Sequence, residues 1–191
     1  NIYRSVNISM VNEMKMVSHK INIDIHNVLN LANTKPFGFT KFEPGPGIGG
    51  HCIPIDPYYL YWKAKQFNID AKFIKLAGIT NENTTKWVID NFIKILKKEK
   101  LRLNQTKLLI LGLSYKKNIE DTRESASIKI IKKLNNKLNL IDISEPYLKS
   151  NNNLLSENHK FLKKYKINNI DLSKSKIKKY DVVMILSDHD K

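Results

Sequence analysis

Apolar residues in the first hundred positions recur at the three- and four-residue spacing that is typical of amphipathic helices. The predicted helices cover residues 2–20, 25–31, 58–66 and 84–101. The last of them is the longest, and its apolar face is formed by Trp87, Val88, Phe92, Ile93 and Leu96. We therefore expect a helical first domain over residues 1–103.

Beyond residue 104 the pattern changes to short apolar runs that alternate with an amphipathic segment. The runs predict strands at residues 108–111, 138–143 and 182–186, with a helix at about 125–136 and a surface loop at the Asn- and Lys-rich residues 149–160. Alternating strands and helices indicate a doubly wound, Rossmann-like parallel sheet over residues 104–191. Ligands of such sheets bind beyond the carboxyl ends of the strands, and residues 112–117 follow the first strand.

A glycine- and proline-rich loop, PGPGIGGHCIPIDPYYL at residues 44–60, holds Cys52, which is the only cysteine of the chain. Glycines let a backbone approach a ligand closely, and prolines stiffen the loop. A free cysteine is more often a small core residue, and Ile53 and Ile55 offer apolar neighbours, so burial stays open. The density of glycine favours an exposed nucleophile. His51 is adjacent, but neighbouring side chains on extended backbone point to opposite sides, so a Cys–His dyad is not predicted.

Three blocks of the sequence carry a resemblance to one enzyme family. The blocks are KPFGF and FEPGPGIGGHCIPIDPYYL at residues 35–39 and 42–60, NIYRSVN and VNE at residues 1–7 and 11–13, and GLSYKK and DTRES at residues 112–117 and 121–125. Together they resemble the UDP-glucose/GDP-mannose dehydrogenases, and most of all the UDP-N-acetylglucosamine or UDP-N-acetylmannosamine branch. The resemblance spans nearly the whole chain and weakens between about residues 149 and 179.

The resemblance implies a central helical dimerisation domain followed by a UDP-sugar-binding domain. In the family, the C6 alcohol of a nucleotide sugar is oxidised to the uronic acid by two hydride transfers to NAD, through a cysteine thiohemiacetal and a thioester. A UDP-sugar substrate, a homo-oligomer and a role in polysaccharide biosynthesis follow from the same resemblance. A cytoplasmic location is the default expectation, because a single cysteine forms no internal disulfide and no apolar run is long enough to span a bilayer. The alternative is a non-catalytic module that binds a UDP-sugar and dimerises.

The catalytic positions of the family fall on three residues of this chain. Cys52 matches the nucleophile, and Asn1 is a second catalytic match. Asp56 matches the aspartate that activates the hydrolytic water, a general-base role. An aspartate before Pro57 is also common in turns, so the spacing alone does not decide the role of Asp56.

The substrate and cofactor positions of the family also fall on residues of this chain. Lys116 matches a substrate contact of the family, and Tyr115 matches a residue beside the nucleotide. The alternative for Lys116 and Lys117 is a solvated pair. Arg123 matches a contact to NAD, or otherwise forms a surface ion pair with Glu124, which contributes little. The remaining substrate-binding matches are Lys35, Phe42, Glu43, Gly45, Gly47 and Gly49.

Several features depart from the family pattern. Glu145-Pro146-Tyr147 stands where Asp-Pro-Tyr is usual, and Thr84-Thr85 stands where Met-Pro usually precedes the long helix. Ile55 replaces a lysine of many UDP-glucose members, which favours the acetamido-sugar branch. The glycines at 45–50 lie in a proline-rich loop and not between a strand and a helix, so no NAD-binding domain is predicted here. The family also has a catalytic lysine that would precede residue 1 and a substrate-binding arginine that would follow residue 191. Since both fall outside the 191 residues, we expect a fragment that is inactive by itself.

The net charge of +15 raises the question of a nucleic-acid partner. The basic residues are scattered lysines, with arginine only at positions 4, 102 and 123, and aromatic residues do not interleave them. Nucleic acid is therefore not predicted, whereas a basic surface suits the two phosphates of a UDP-sugar. No apolar run reaches the roughly 18 residues of a membrane span. The five histidines show no metal-ligand spacing with the single thiol, so no metal site is predicted.

Overall fold

The computed structural model describes residues 1–148 except 136 and 139, and residues 161–190 except 164, 166 and 171. The loop predicted at 149–160 lies outside the described residues. The chain folds into two compact units, Asn1–Trp87, called the helical unit below, and Val88–Lys191, called the sheet unit. The domain boundary predicted between residues 103 and 104 stays a prediction.

Four helices account for the regular structure described before residue 100. They are α1 Ile2–Lys20, α2 Ile25–Ala32, α3 Asp56–Lys65 and α4 Lys72–Lys98. The first two helices confirm the predicted ones, and α2 begins where the Asp24 side chain accepts a hydrogen bond from the His26 N–H at 2.9 Å. Helix α3 begins at Asp56, two residues before the predicted start, because Pro57 fits the first turn of a helix.

The start of α4 was predicted wrongly. The helix begins at Lys72 rather than Thr84, and Thr84 and Thr85 lie in its interior. Thr84 Oγ1 donates to the Thr80 carbonyl at 2.9 Å, and Thr85 Oγ1 donates to the Pro46 carbonyl at 3.0 Å. Since both hydroxyls are satisfied, two β-branched residues do not interrupt the helix despite their modest helix propensity.

The buried apolar core of the helical unit is small. Its main cluster has three buried members, Val11, Ile25 and Leu29, with Met14, Val28, Phe39 and Phe42 partly buried around them. Ile74 and Ala77 of α4 are buried outside this cluster. The face that α1 and α2 share is thus covered by only a few side chains. Many large apolar residues of this unit remain exposed, among them Tyr59, Trp62, Phe67 and Phe73.

The sheet unit is built on four parallel strands in the order β3-β2-β1-β4. Its elements are β1 Lys107–Leu111, α5 Ala126–Leu134, β2 Leu140–Ser144, β3 Ile167–Asn168, α6 Lys174–Ile177 and β4 Val182–Ile185. The strand order reverses at β1, so the predicted doubly wound parallel sheet is confirmed. Strand β3 and helix α6 were not predicted, because elements of two and four residues are too short to show a period.

A large core holds the sheet unit together. Leu108, Leu109 and Ile110 of β1 are fully buried, which is typical of a central parallel strand covered on both faces. Ile130 and Ile131 of α5 are equally buried. The predicted buried strand after residue 107 is therefore confirmed.

The chain leaves β1 through Gly112, which has a φ of 89°. A Cβ at this position would lie 2.5 Å from Ser187 Cβ, so only glycine fits both the backbone conformation and the close approach. The residues that follow Gly112 are thereby placed at the carboxyl edge of the sheet.

Candidate active site

The loop that carries Cys52 leaves this side chain exposed. Gly50 has a φ of 94°, and residues 50–52 form a bend rather than extended backbone. His51 Nδ1 lies 3.6 Å from Cys52 Sγ. The expectation that these two side chains point to opposite sides is therefore wrong, because it assumed extended backbone. The alternative of a buried core cysteine is also wrong.

Asp56 lies in the first turn of α3, where a helix favours negative charge. Its backbone N–H donates to the Cys52 carbonyl at 2.8 Å, which closes the loop into the helix. Asn1 Nδ2 donates to Asp56 Oδ2 at 2.5 Å, across 55 positions of sequence. The structure thus brings two predicted catalytic side chains into direct contact and ties the backbone of the third to one of them.

Asn12 is a site-positioning residue that the sequence reasoning missed. Its side chain is completely buried. Asn12 Nδ2 donates to Asn81 Oδ1 at 3.0 Å, and Asn12 Oδ1 accepts from the Gly45 N–H at 2.9 Å. A buried amide that uses both its donor and its acceptor fixes its neighbours, so α1 and α4 hold the start of the glycine-rich loop. The available signal was a polar residue beside Val11 on the buried face of α1.

Glu43 is held by a lysine and a histidine. Its Oε1 lies 2.5 Å from Lys41 Nζ, and its Oε2 lies 3.2 Å from His26 Nδ1. The hydrogen bond from Lys41 holds the pKa of Glu43 below its usual range. This carboxylate is half-exposed and negative, so it can accept hydrogen bonds from hydroxyls but does not attract phosphate.

The other predicted substrate residues of the helical unit lie along the same stretch of loop. The Lys35 ammonium group lies 5.3 Å from the centre of the Phe37 ring, and the Phe42 ring packs edge-on against Tyr3 at 5.9 Å. Gly45, Gly47 and Gly49 lie between Phe42 and the cysteine. Their roles stay predictions.

The loop after β1 distinguishes two lysines that the sequence presents as a pair. Lys117 Nζ lies 2.5 Å from Asp190 Oδ1, and this hydrogen bond raises the pKa of Lys117 and lowers that of Asp190. Lys116 is exposed and makes no hydrogen bond or ion pair with any residue that the structure describes. Tyr115 is exposed beside it. Lys116 is therefore the lysine available to an anionic ligand.

Arg123 forms a two-pronged contact with Asp121. Its Nε and Nη2 lie 3.0 and 2.6 Å from Asp121 Oδ2. Glu124, the partner that the sequence suggested, instead lies 2.8 Å from Lys129 Nζ. The side chain of Arg123 is 62% exposed, so exchanging Asp121 for another anion requires little desolvation.

A cavity of about 500 Å³ opens at the carboxyl ends of β1, β2 and β4. Its lining includes Gly112, Ser144, Pro146, Asn169, Ser187 and His189. This is the edge at which open parallel sheets bind ligands. Buried Glu145 lies between two lining residues in sequence, and sequence reasoning gave it no role beyond a mild departure.

Two kinds of feature are absent from the described part of the chain. None of its helices is long and apolar enough to cross a bilayer. No group of three or more His, Cys, Asp or Glu side chains in it is placed to hold a metal ion.

Comparison with known sequences gives two matches that cover most of the chain. Residues 1–83 match the central domain of the UDP-glucose/GDP-mannose dehydrogenase family, and residues 109–191 match the UDP-binding domain of the same family. A UDP-N-acetyl-D-mannosamine dehydrogenase of Methanocaldococcus jannaschii is 33% identical over 190 residues. A UDP-N-acetyl-D-glucosamine 6-dehydrogenase of Salmonella typhi is 31% identical over 189 residues. The chain is covered to 100% and 99% in these matches but spans only 39% and 42% of the two relatives.

Solved structures give the same result. The UDP-D-ManNAc dehydrogenase from Pyrococcus horikoshii superposes with a TM-score of 0.81 at 27% identity, covering 100% of this chain and 40% of that one. An NDP-N-acetyl-D-galactosaminuronic acid dehydrogenase from Methanosarcina mazei reaches a TM-score of 0.82 at 20% identity, with 100% and 39% covered, which supports the fold alone.

Proposed function

The chain belongs to the UDP-glucose/GDP-mannose dehydrogenase family, and from this premise we propose that it is the thiol-bearing and UDP-binding part of an NAD-dependent UDP-N-acetylhexosamine 6-dehydrogenase. The observation that carries the proposal is the exposed Cys52 on a loop whose backbone is bonded to Asp56, itself bonded to Asn1. A thiolate is intrinsically nucleophilic toward an aldehyde. An exposed thiol, on a loop whose backbone is bonded to a residue with a carboxylate side chain, suits covalent capture followed by hydrolysis.

Cys52 acts after the C6 alcohol has lost a hydride and a proton to become an aldehyde. The thiolate adds to the aldehyde carbon, and the oxygen takes up a proton to give a thiohemiacetal. Loss of a second hydride from C6, together with the hydroxyl proton, leaves a thioester. NAD, when bound, accepts each hydride, and Arg123 is the residue here that we propose reaches it. Covalent attachment holds the half-oxidised sugar between the two transfers.

Asp56 completes the reaction by general-base catalysis. Its carboxylate accepts a proton from the water that attacks the thioester carbon, and the C–S bond breaks to release the uronic acid and the Cys52 thiolate. The proton on Asp56 then passes to this thiolate or to solvent, so Asp56 is again a base. Asn1 donates to Oδ2 of Asp56, which leaves Oδ1 for the water. Asn1 thereby orients the base, and its amide remains neutral throughout.

The substrate class rests on relatives and on charge. Both relatives described above carry names that contain a UDP-N-acetylhexosamine, and Ile55 stands in place of the lysine of many UDP-glucose members. Lys116 is an exposed cation after the first strand of the domain that matches the UDP-binding domain of the family. We propose that Lys116 binds the anionic part of the substrate and that Tyr115 lies beside the nucleotide.

A second copy of the chain is the proposed partner of the helical unit. Trp62 of α3 and Phe73 of α4 are 62% and 79% exposed, which is unusual for large apolar residues of a monomer. The family's central domain is the dimerisation domain in the resemblance described above. Self-association would remove these side chains from water.

The competing function is a UDP-sugar-binding and dimerisation module without catalysis. It predicts that Cys52 and Asp56 are dispensable. Their joint presence, with the Asn1 contact, favours the dehydrogenase.

The experiment uses the complete reading frame that contains residues 1–191, assayed for NADH with UDP-N-acetylglucosamine, UDP-N-acetylmannosamine and UDP-glucose. The proposal expects two NADH per sugar, loss of turnover in Cys52→Ser, and accumulation of a sugar thioester on Cys52 in Asp56→Asn. Asp70→Asn is the matched control, because Asp70 is exposed and distant in sequence from the loop. Full activity of Cys52→Ser would contradict the proposed cysteine mechanism. Residues 1–191 alone are expected to bind UDP without forming NADH.

A further inference from the structure

Glu145 is the most enclosed carboxylate among the described residues, with a side chain that is 0% exposed. A carboxylate removed from water is tolerated only where hydrogen bonds or a charge replace its hydration. Oε2 of Glu145 accepts from the Leu113 N–H at 2.7 Å and from the Ser114 N–H at 3.1 Å. It also lies 3.2 Å from Ser114 Oγ, and Oε1 accepts from the Tyr147 N–H at 3.0 Å. Glu145 is thus bonded to the first residues of the loop after Gly112.

His189 connects this carboxylate to the far end of the same loop. Its Nδ1 accepts from the Asn118 N–H at 2.9 Å, and its Nε2 lies 3.1 Å from Glu145 Oε2. A backbone N–H only donates, so Nδ1 carries the lone pair and Nε2 carries the proton that points at Glu145. The side chain of His189 is 4% exposed.

Tyr147 and Asp190 reinforce the end of the loop at Asn118. The Tyr147 ring lies 4.8 Å from the His189 ring, and its hydroxyl donates to Asn118 Oδ1 at 3.1 Å. The Asp190 N–H donates to the same oxygen at 3.0 Å. These contacts hold Asn118 at a φ of 60°, a left-handed conformation that asparagine tolerates better than most residues.

The residues of the loop after β1 differ in their exposure. Leu113 and Ser114 are buried, whereas Tyr115, Lys116 and Lys117 are exposed. A long, flexible cation such as Lys116 loses side-chain entropy on binding, and a backbone that is already fixed reduces the rest of the ordering cost.

We propose that Glu145 and His189 form a buried positioning pair that joins the carboxyl ends of β1, β2 and β4 and fixes the loop 113–118, so that Lys116 is presented to the anionic part of a ligand. The pair does not touch the ligand in this proposal, so both are positioning residues rather than catalytic ones. The link to a ligand rests on the proposed function, whereas the fixing of the loop does not.

Amide hydrogen exchange of the 191-residue chain tests the positioning directly. Glu145→Gln is expected to speed exchange at Leu113 and Ser114 at least tenfold, with Ile110 and Ile130 unchanged. His189→Gln keeps a donor toward Glu145 but removes the acceptor for Asn118, so exchange at Asn118 alone should rise. His189→Asn keeps that acceptor and should leave Asn118 protected. Glu99→Gln, at an exposed carboxylate of the same unit, is the matched control.

If Glu145 and His189 contributed only to the overall stability of the unit, the pattern of amide exchange would be different. Exchange would then rise uniformly across β1 and α5, and the two His189 variants would be alike. Either result overturns the proposal, as does unchanged exchange at Leu113 and Ser114. If Glu145→Gln does not fold, the difference in Asn118 exchange between His189→Gln and His189→Asn still tests the positioning pair.

Calorimetric titration of UDP into the same variants tests the consequence for binding. Glu145→Gln is expected to weaken UDP binding about fivefold or more, and Lys116→Met to weaken it further. Equal UDP affinity in wild type and Glu145→Gln, with faster loop exchange, overturns the presentation of Lys116. A wild-type chain that does not bind UDP counts against the proposed function, and the exchange pattern then supports or overturns the positioning pair by itself.

Discussion

The helical unit and the sheet unit bury their apolar residues to very different degrees. In the sheet unit, β1 is almost entirely buried and a continuous core joins it to α5 and to the end of α4. In the helical unit, the main buried cluster has only three members, Val11, Ile25 and Leu29, and large side chains such as Trp62 and Phe73 face water. The central strand β1 buries its apolar side chains within its own unit, whereas the large apolar side chains of the helical unit stay exposed.

The loop after β1 and the cysteine loop also differ in the groups that hold them. The loop after β1 is fixed by a buried carboxylate within the sheet unit. The cysteine loop is held by the amide of Asn12 and the hydroxyl of Thr85, both buried, and its thiol is exposed. The proposed chemistry therefore lies in the unit with the smaller buried core, and the proposed nucleotide binding lies in the unit with the larger one.

Removing a core side chain should have the largest effect and should be confined to the sheet unit. Ile130→Ala is expected to lower the free energy of unfolding by about 4 kcal/mol, because a buried isoleucine leaves a cavity that the sheet cannot close. Exchange of the β1 amides during urea unfolding measures this loss.

Trp62→Ala is the contrasting variant in the helical unit. We expect it to change the unfolding free energy of the monomer by less than about 0.5 kcal/mol, because the indole is exposed, while self-association weakens. Fluorescence of the remaining Trp87 and sedimentation velocity follow the two effects. If Ile130→Ala and Trp62→Ala lowered the unfolding free energy of the monomer by similar amounts, the proposed difference in burial between the two units would be contradicted.

Breaking the Asn12 contacts should have an intermediate effect within the helical unit. Asn12→Ala leaves the Gly45 N–H and Asn81 Oδ1 without their partner, which is expected to lower stability by about 2 kcal/mol. Both tryptophans of the chain lie in the helical unit, so their fluorescence reports its unfolding.

Asn7→Ala is the control for this prediction. The Asn7 amide donates only to the Tyr3 carbonyl within α1, so a change of about 0.5 kcal/mol or less is expected. Equal effects of the two substitutions would show that Asn12 does not fix the loop.

The smallest expected effect concerns the charge beside the cysteine loop. Lys41 holds the pKa of Glu43 below its ordinary value of 4.5 in the folded chain. The folded pKa is the lower one, so the contribution to stability is present above the ordinary pKa and is lost as pH falls through the folded pKa. Because the side chain is 54% exposed, this contribution is well under about 1 kcal/mol.

Carbon-13 NMR of the Glu43 carboxyl measures this titration. Lys41→Met should raise its pKa toward the ordinary value. A Glu43 pKa that is identical in the variant and the wild type would contradict the assigned cause.

Much of the architecture was predictable from local pattern. The first two helices, the buried run at Leu108–Leu111 and the parallel sheet all follow from periodicity and from alternation along the chain. The start of α4 was not predictable, because the hydroxyl of Thr85 is satisfied by Pro46, which lies 39 positions away. Strand β3 was missed because its pairing with β2, and not its own two residues, makes it a strand.

The order of residues along the chain was sufficient for the fold class and for the family to which the chain belongs, and it favoured an exposed Cys52, which the structure confirms. Packing in three dimensions was needed to show that Asn1 meets Asp56, that Lys117 and not Lys116 is paired, and that Glu145 holds the loop after β1. The spacing of apolar residues predicts which face of a single helix or strand is buried, and this information is contained in a short stretch of sequence. Hydrogen bonds between distant polar groups form only after the apolar elements have packed, so they leave no period in the sequence.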